Sequence, residues 1–340
     1  YQFRNMKLLL STLVLMLTMF GMKPHLQAQD TTYRVKLMQY NILRFGNCSG
    51  ATNSDKYTWL GNVVDHVRPD IMVVNEISPA TIYAQGIGFH SFDYSGSFDH
   101  APFTNFANSD IVNMLFYDKA LFGLLSTEVV PGNSVRDINI YKLYFKPSII
   151  AGTDTTFLYV LAAHLKASNS SSDINRRWDA SIDIMNWIQN NAQGENVVLA
   201  GDLNIKVASE NAYSELTATR NSDVTLVDPL GLSGGWTASS VANVLTQSPR
   251  SSSQDCGVGG GLDDRFDFIL PSRAMMDGTN GIQYVDDSYV AVGNDGNSFD
   301  QELSCGNNPT VPAQVCLSLR LMSYHLPVLT EFDMAGRPLS

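Results

Sequence analysis

The chain has 340 residues, 44% of them hydrophobic and 16% charged, with 22 Lys+Arg against 33 Asp+Glu for a formal charge of −11. That length and apolar share suffice to bury a large core, and the lack of any long like-charge block argues against a disordered chain. An acidic protein gains no overall attraction to nucleic acid, which disfavours tight sequence-specific DNA binding; a nuclease that draws phosphate in through a metal ion and a local basic rim remains compatible.

The chain-order reading begins with a segment outside the fold. Met6-Lys7 opens an almost wholly apolar run, Leu8 to Met22, followed by Lys23 and then Leu26-Gln27-Ala28-Gln29-Asp30. A basic start, an apolar stretch too short for a membrane span and small residues after it form the pattern of a secretory signal over 1–28. A membrane anchor is the alternative, and residues 1–5 precede the first methionine. Without 1–28, which carry Arg4, Lys7 and Lys23 and no acid, the charge is −14. The remainder, 30–335, reads as a single domain, placed by the leader in an exported setting: periplasmic, extracellular or at the cell surface. No stable membrane span is expected in the mature chain, and a monomer is expected.

Tyr33 to Ile42 alternates as a strand, with Tyr33, Val35, Leu37 and Asn41 on one face. Tyr57 to Val67 places Leu60, Val63, Val64 and Val67 at helical spacing, and Arg68-Pro69 ends that helix. Asp70–Val74, Ile111–Tyr117 and Thr156–Ala163 read as strands. After the polar stretch Ser168–Ser172, Asp173 is placed to cap a helix whose stripe is Trp178, Ile182, Met185 and Ile188. Asn196–Ala200 is a further buried strand. Residues 231–261, rich in Ser and Gly, read as a long surface excursion, and Arg265–Leu270 and Cys316–Met322 as late strands. Strands of alternating and fully apolar type, interleaved with helices, indicate an α/β fold with strands buried between sheet and helix layers.

Four cysteines, Cys48, Cys256, Cys305 and Cys316, permit two disulfides with three connectivities in an exported chain. Cys305–Cys316 is the favoured pair, with free buried thiols the alternative. No CxxC spacing suggests cysteine-bound zinc.

The chemistry gathers where buried strands end. Asn41, Glu76, His164, Asp202 with Asn204, Asp267 and His325 each sit at or near the end of an apolar run. One such ending is more often a turn or cap; six can converge on one sheet edge, where active sites form. Their types suit phosphoester hydrolysis. A hard divalent cation needs carboxylate, the non-bridging oxygens need donors, and the attacking water needs a base. No Gly-rich phosphate loop, HExxH or Ser-His-Asp order offers a competing chemistry.

In order, the chain contains Met38-Gln39-Tyr40-Asn41, Asp70-Ile71-Met72-Val73-Val74-Asn75-Glu76, Ala163-His164-Leu165-Lys166, Ala200-Gly201-Asp202-Leu203-Asn204, Arg265-Phe266-Asp267-Phe268-Ile269-Leu270 and Ser323-Tyr324-His325-Leu326-Pro327-Val328. These resemble the ordered motifs of the endonuclease/exonuclease/phosphatase superfamily, which includes deoxyribonuclease, abasic-site endonucleases and sphingomyelinases. Asn113, in Asn113-Met-Leu-Phe-Tyr, fits a further segment less distinctively. The resemblance covers about residues 33–330. It implies a four-layer α/β sandwich, two packed mixed β-sheets flanked by helices. It implies Glu76 as metal ligand with Asn41 beside it, for Mg²⁺, or Mn²⁺ or Ca²⁺ in its place. It further implies Asp202 positioning or deprotonating the attacking water, Asn204 holding phosphate, His164 and His325 on the phosphate oxygens, and Asp267 fixing the His325 ring.

Two positions depart from that pattern: Tyr324 stands where relatives carry an aspartate that helps hold the metal, and Leu43 where many carry an acid. The expected activity is metal-dependent cleavage of phosphodiester or phosphomonoester bonds by in-line attack of water, in the form of an extracellular nuclease that binds nucleic acid without strong sequence specificity. The rivals are a sphingomyelinase-like lipid phosphodiesterase, for which Phe89, Phe92, Tyr94, Phe98, Phe103 and Phe106 are the nearest approach to a membrane-seeking segment, and a binding protein that has kept the fold without catalysis. Lys166 could meet phosphate or be solvated. Gly293–Asn297 with Asp300 reads as a plain turn rather than a calcium loop, Trp236 as a core anchor rather than a stacking platform, and His66, His90 and His100 as structural or exposed.

Overall fold

In the computed structural model the described residues are 32–48, 53–80, 95–132, 135–146, 155–220, 223–253 and 256–335, all within the unit formed by 31–340. The leader read at 1–28 lies outside them, as do Phe89, His90, Phe92 and Tyr94.

Two mixed sheets carry the fold. The first holds β1 (Tyr33–Phe45), β2 (Ile71–Ile77), β3 (Phe98–His100), β4 (Val112–Asp118), β10 (Ile282–Tyr284), β11 (Val290–Ala291) and β12 (Val328–Met334). Its order is β10-β12-β1-β2-β4-β3, with β11 also on β12. The second holds β5 (Phe122–Val129), β6 (Asn139–Phe145), β7 (Phe157–His164), β8 (Val197–Asp202) and β9 (Asp267–Pro271), in that order. One parallel pair lies inside each sheet, β1 with β2 and β7 with β8. Buried on both faces, β2, β7 and β8 read as nearly continuous apolar runs, whereas β1 keeps the alternation of its first half.

The helices are α1 (Asn53–Val67), α2 (Ser171–Asn191), α3 (Asn211–Thr217), α4 (Arg273–Asp277) and α5 (Ala313–Met322). Val35, Leu37, Ile71, Val73 and Leu115 meet Tyr141, Leu143, Val160, Val198 and Ile269 between the sheets. The other face of the first sheet packs Met38, Tyr40, Met72 and Val74 on Leu60, Val63 and Val64 of α1 and Leu319 and Met322 of α5. The other face of the second packs Leu161 and Leu199 on Ile184, Met185 and Ile188 of α2 and Leu216 of α3. The result is the expected four-layer α/β sandwich. Each fully buried Leu, Ile or Val contributes about 1.5–3 kcal/mol to it.

Several sequence readings are corrected. Cys316–Met322 is not a strand but the end of helix α5. The run Cys-Leu-Ser-Leu-Arg-Leu-Met alternates, yet with Val315 it also places Val315, Cys316, Leu319 and Met322 on one helical face, and that face is the buried one. The stripe of α2 is rotated from the one read. Arg177, Ala180, Ser181, Ile184, Met185, Trp187 and Ile188 are buried, whereas Trp178 is exposed. The N-cap of α2 is Ser170, whose Oγ accepts from the Asp173 N–H, while the Asp173 carboxylate accepts from the Ser170 hydroxyl; Asp173 supports the cap rather than being it. Residues 231–261 are not simply a surface excursion, since Trp236, Leu245, Thr246, Ser248 and Arg250 within them are buried. Trp236 packs edge-on against Tyr213 and Phe268 in the core.

Both cysteine pairs are bonded, Cys305–Cys316 and Cys48–Cys256. No helix among the described residues is long and apolar enough to cross a membrane.

Candidate active site

Register brings the second sheet's functional residues side by side. In the parallel β7–β8 pair His164 lies opposite Asp202, and in the antiparallel β8–β9 pair Asp202 lies opposite Asp267. Gly201 permits the close β7–β8 approach there, because a Cβ on it would overlap the Ala163 carbonyl. In the first sheet Asn41 pairs with Asn75, after which the β1–β2 and β2–β4 registers both slip. At the slip Leu43 and Glu76 adopt left-handed backbone, with φ of 51° and 66°. Such bulges beside active sites re-aim a side chain, and here Glu76 is turned toward the second sheet. Asn204, two residues past Asp202, has φ 52°.

A buried chain of amides joins the two sheets beneath this floor. Gln39 Nε2 donates to Asn75 Oδ1 at 2.8 Å, and Asn75 Nδ2 donates to Asn113 Oδ1 at 2.8 Å and to the Ala163 carbonyl at 3.2 Å. Asn113 Nδ2 donates in turn to the Asp137 and Ala162 carbonyls. Asn75 Oδ1 also accepts the backbone N–H of Asp202 at 2.9 Å. Except for Gln39 Oε1, which is buried without a partner, these amides are paired, and they favour one arrangement of the strands because another would leave further polar groups unpaired at about 1–3 kcal/mol each.

The side chains converge on a pocket of about 430 Å³ whose lining includes Glu76, His164, Asp202, Asn204 and His325. Asn41 Nδ2 sits between two carboxylates, 3.0 Å from Glu76 Oε1 and 3.0 Å from Asp202 Oδ2, while its Oδ1 accepts from the Leu43 N–H. His164 Nε2 is 3.4 Å from Asp202 Oδ2 and 3.9 Å from Glu76 Oε1. His325 Nδ1 is 2.7 Å from Asp267 Oδ2, and its Nε2 is 3.5 Å from Asp202 Oδ2. Ser323 secures this last motif, donating to the Asn41 carbonyl and accepting from the His325 N–H. Asp267, buried inside β9, does not itself line the pocket; it stands behind His325.

Burial and neighbouring charge set the ionisation of these groups. Burial opposes the charge on His325, but Asp267 and Asp202 outweigh it and carry the ring up to about 9. Burial, helped by Arg136 and His325, holds His164 well below its ordinary value and hence neutral. Asp202 is pushed up to about 7, first by burial; His325 pulls the other way, and Asp267 and Glu76 add to the rise.

The site's chemistry fits a divalent cation. Glu76, His164 and Asp202 offer one ligand atom each, all within 4.8 Å of one another, and all three are buried. Two carboxylates and a neutral imidazole around one point, with a third carboxylate on Asp267, favour a bound positive charge. Tyr324 differs from an acid in kind. Its hydroxyl donates to Glu76 Oε1 at 2.9 Å, and burial, reinforced by Glu76, holds the phenol well above its ordinary value and therefore neutral. A Cβ on Gly257 would crowd both Tyr324 and Leu43, so the two departures from the motif pattern pack under the loop that Cys48–Cys256 secures.

Other candidates lie elsewhere. Lys166 turns to Asp173 at 3.2 Å and to the Ala167 carbonyl. Of the described aromatic residues in 95–107, Phe98 is buried and Phe103 packs on the core, while Phe106 is 82% exposed. The 293–300 loop is closed by Asn294 and Asp295 accepting from the N–H groups of Gly296 and Asn297.

Residues not singled out from the sequence also shape the site. Gln247 Nε2 is 3.0 Å from His325 Nε2, and Arg136 and Lys206 line the pocket. Lys56, buried in α1, donates to the Leu43 and Met322 carbonyls. For Asn75 a signal existed, an amide inside an unbroken apolar run; for Gln247, in a Ser- and Gly-rich stretch, none did.

Fold and site together define a phosphoester hydrolase of the two-sheet sandwich type. The model of the Endonuclease/Exonuclease/phosphatase family matches residues 38–281, and the chain belongs to that family, whose members are metal-dependent phosphoesterases. No curated protein matches the chain closely enough to count as a relative. Among solved structures it is similar to TDP2 of D. rerio in complex with a single-strand DNA product, at 16% identity and TM-score 0.55, covering 88% of this chain and 99% of that one. It is also similar to the human Nocturnin catalytic domain, at 13% identity and TM-score 0.54, covering 90% and 96%. A third is an endonuclease/exonuclease/phosphatase family protein of Bacteroides thetaiotaomicron, at 12% identity and TM-score 0.53, covering 89% and 99%. At such identities the likeness concerns the fold.

Proposed function

We propose that the chain is an exported phosphodiesterase whose favoured substrate is nucleic acid, bound without strong sequence specificity. The observation that carries the reading is the convergence of Glu76, His164, Asp202 and His325 on one pocket, with Asp267 directly behind His325. Glu76, with Asp202 in reach, would hold a divalent ion, which when bound would supply charge neutralisation at the phosphate. Asp202, its proton affinity raised toward neutrality, takes the proton of the attacking water. His325, protonated and held at Nδ1 by Asp267, donates from Nε2 to a non-bridging oxygen. His164 and Asn204 complete the donors around the phosphate, and Asn41 keeps the Glu76 and Asp202 carboxylates together.

Support for nucleic acid comes from the rim. Arg44, Arg136 and Lys206 line the pocket of an otherwise acidic chain; Arg44 is paired with Asp110 and Lys206 with Asp264, so the rim offers guanidinium and ammonium donors to a phosphate rather than a net positive charge. The D. rerio structure, with its single-strand DNA product, has the same fold. Support for export comes from the leader-like sequence of 1–28 and from the two disulfides, which persist in oxidising compartments. Exposed Phe106, and Val258 at the pocket, favour the lipid alternative. Turnover of single-stranded DNA, RNA and sphingomyelin vesicles, each with Mg²⁺, separates the two. Cleavage of DNA or RNA above sphingomyelin is expected, and the reverse order overturns the nucleic-acid reading. Export is checked by N-terminal sequencing of the protein from a host that secretes it: a chain starting near Gln29 is expected, and one retained in the cytoplasm with its leader contradicts it.

Tyr324→Asp should strengthen metal dependence. It replaces a neutral phenol on Glu76 with a carboxylate, and hard cations reward added carboxylate oxygens. The Mg²⁺ concentration giving half-maximal rate should fall. An unchanged or higher value in a folded variant would mean that Tyr324 does not occupy a vacated metal position.

A further inference from the structure

The phosphate-facing nitrogen of His325 already has a partner in the free protein. Its Nδ1 is engaged by Asp267 at 2.7 Å, so Nδ1 carries a proton, and Gln247 Nε2 lies 3.0 Å from Nε2. Asp202 Oδ2, at 3.5 Å, and the Tyr324 and Phe266 rings, with centroids at 4.6 and 6.4 Å, are the other groups around the imidazole. An amide suits that place because it can serve Nε2 in either state: its NH₂ donates to the lone pair of a neutral ring, and turned over its oxygen accepts from a protonated one.

The backbone beneath this side chain is fixed independently of it. Gln247 N–H donates to the Asp264 carbonyl, and the Gln247 carbonyl accepts from the N–H groups of Asp263 and Asp264. Thr246 accepts the Leu326 N–H through its carbonyl at 2.7 Å and the Phe266 N–H through its hydroxyl at 3.3 Å. Residues 246 and 247 are thus stitched both to the residue after His325 and to the residue before Asp267. Gln247 lines the same pocket as Glu76 and Asp202, so the substrate's phosphate must reach Nε2 on the side where the amide lies.

We propose that Gln247 is a positioning residue for His325: it holds the imidazole with Nε2 turned into the pocket, and it yields that nitrogen to the phosphate oxygen when substrate binds. The proposal rests on His325 being a phosphate donor, and it adds a defined competition at Nε2. Removing the amide frees Nε2 for phosphate but lets the ring wander, so binding and turnover move in ways that simple damage does not produce.

The test is a pair of variants of the full chain, Gln247→Met and Gln247→Glu, assayed with Mg²⁺ on bis(p-nitrophenyl) phosphate, with the His325 ring nitrogens followed by long-range ¹H–¹⁵N correlation NMR. Gln247→Met should lower kcat about tenfold, the scale of one lost hydrogen bond, and lower KM as well. Gln247→Glu should raise KM, because a carboxylate at Nε2 repels the entering phosphate. The His325 Nε2 resonance should move in both variants while the thermal transition stays in place. A Gln247→Met enzyme with wild-type kcat and KM, or with raised KM and unchanged kcat, overturns the proposal. So does an unchanged Nε2 resonance, which is read without substrate. Inactivity of the wild-type chain on every phosphate ester would instead count against the hydrolase reading, and the NMR arm would still decide whether Gln247 holds the ring.

Discussion

Replacing His325 with alanine, or Asp202 with asparagine, is expected to reduce kcat by about 100-fold or more, the usual scale for a catalytic acid–base group or an oxyanion donor. The two residues are 3.5 Å apart and line the same pocket; the proposed mechanism makes one the donor to the phosphate and the other the acceptor of the water's proton. Each should act on turnover more than on folding. Both side chains are buried, so folding must be argued from charge rather than from exposure. Asp202 lies near Glu76 and Asp267, and burial already disfavours its ionised form. A neutral amide of the same shape relieves that repulsion, but with one oxygen it keeps only one of the two acceptor contacts, to Asn41 or to the Asn204 N–H, and it gives up the attraction to His325. The Asp202→Asn protein should therefore stay folded with its thermal midpoint close to the parent's, the relief and the losses offsetting, while turning over slowly. His325→Ala leaves Asp267 without its ring partner and should lose some stability as well as activity. Near-normal kcat in either folded variant would remove that residue from the mechanism.

The largest expected effect on stability lies away from the chemistry, at Asp228→Ala. Asp228 and Arg265 form a two-pronged ion pair, Nη1 to Oδ2 at 2.7 Å and Nη2 to Oδ1 at 2.9 Å, and both side chains are nearly fully buried. The guanidinium lies 4.3 Å from the Phe268 ring centroid, with Trp236 and Tyr289 also against it. Tyr213 donates its hydroxyl to the same Asp228 oxygen. Burial works against the Asp228 charge, but Arg265 and the hydrogen bonds outweigh it, so the carboxyl stays below its ordinary value. The pair's contribution is thus present at neutral pH and is lost as pH falls through the folded-state value. Deleting Asp228 leaves Arg265 charged and unpaired inside the protein, which costs about 3–5 kcal/mol. The measurement is the urea midpoint of Asp228→Ala against the parent. A loss below about 1 kcal/mol would mean that water or another group reaches Arg265 freely.

That pair also shows what the sequence could and could not convey. Arg265 was visible as the first residue of a motif, but its partner Asp228 lies 37 positions upstream in a stretch with no periodicity. The strands that carry Glu76, His164 and Asp202 are legible because burial on both faces makes them nearly unbroken apolar runs with an abrupt polar end, the strand of Asn41 because it alternates, and that of Asp267 because an apolar run follows it. Their convergence follows from register, which no single run reveals: His164, Asp202 and Asp267 align only once β7, β8 and β9 pair. The helix ending at Met322 looks like a strand in sequence because Cys316-Leu-Ser-Leu-Arg-Leu-Met satisfies both periods, and the choice between them is made by the α1 surface it packs on. The strands β5, β6 and β12 mix polar and apolar residues and so carry little contrast in sequence. Gln247 had no local signal at all, since its importance comes entirely from the two segments stitched on either side of it.

The central claim, that Glu76, Asp202 and the two histidines form a metal-dependent phosphoester hydrolase, is tested most directly by one assay. Purified full-length protein is incubated with bis(p-nitrophenyl) phosphate and with single-stranded DNA, in Mg²⁺ and in Mn²⁺, before and after chelation. The account predicts hydrolysis of at least one of these, abolished by chelator, restored by added metal and lost in Glu76→Gln. Hydrolysis that persists unchanged in chelator, or no hydrolysis of either substrate with either metal, would contradict it.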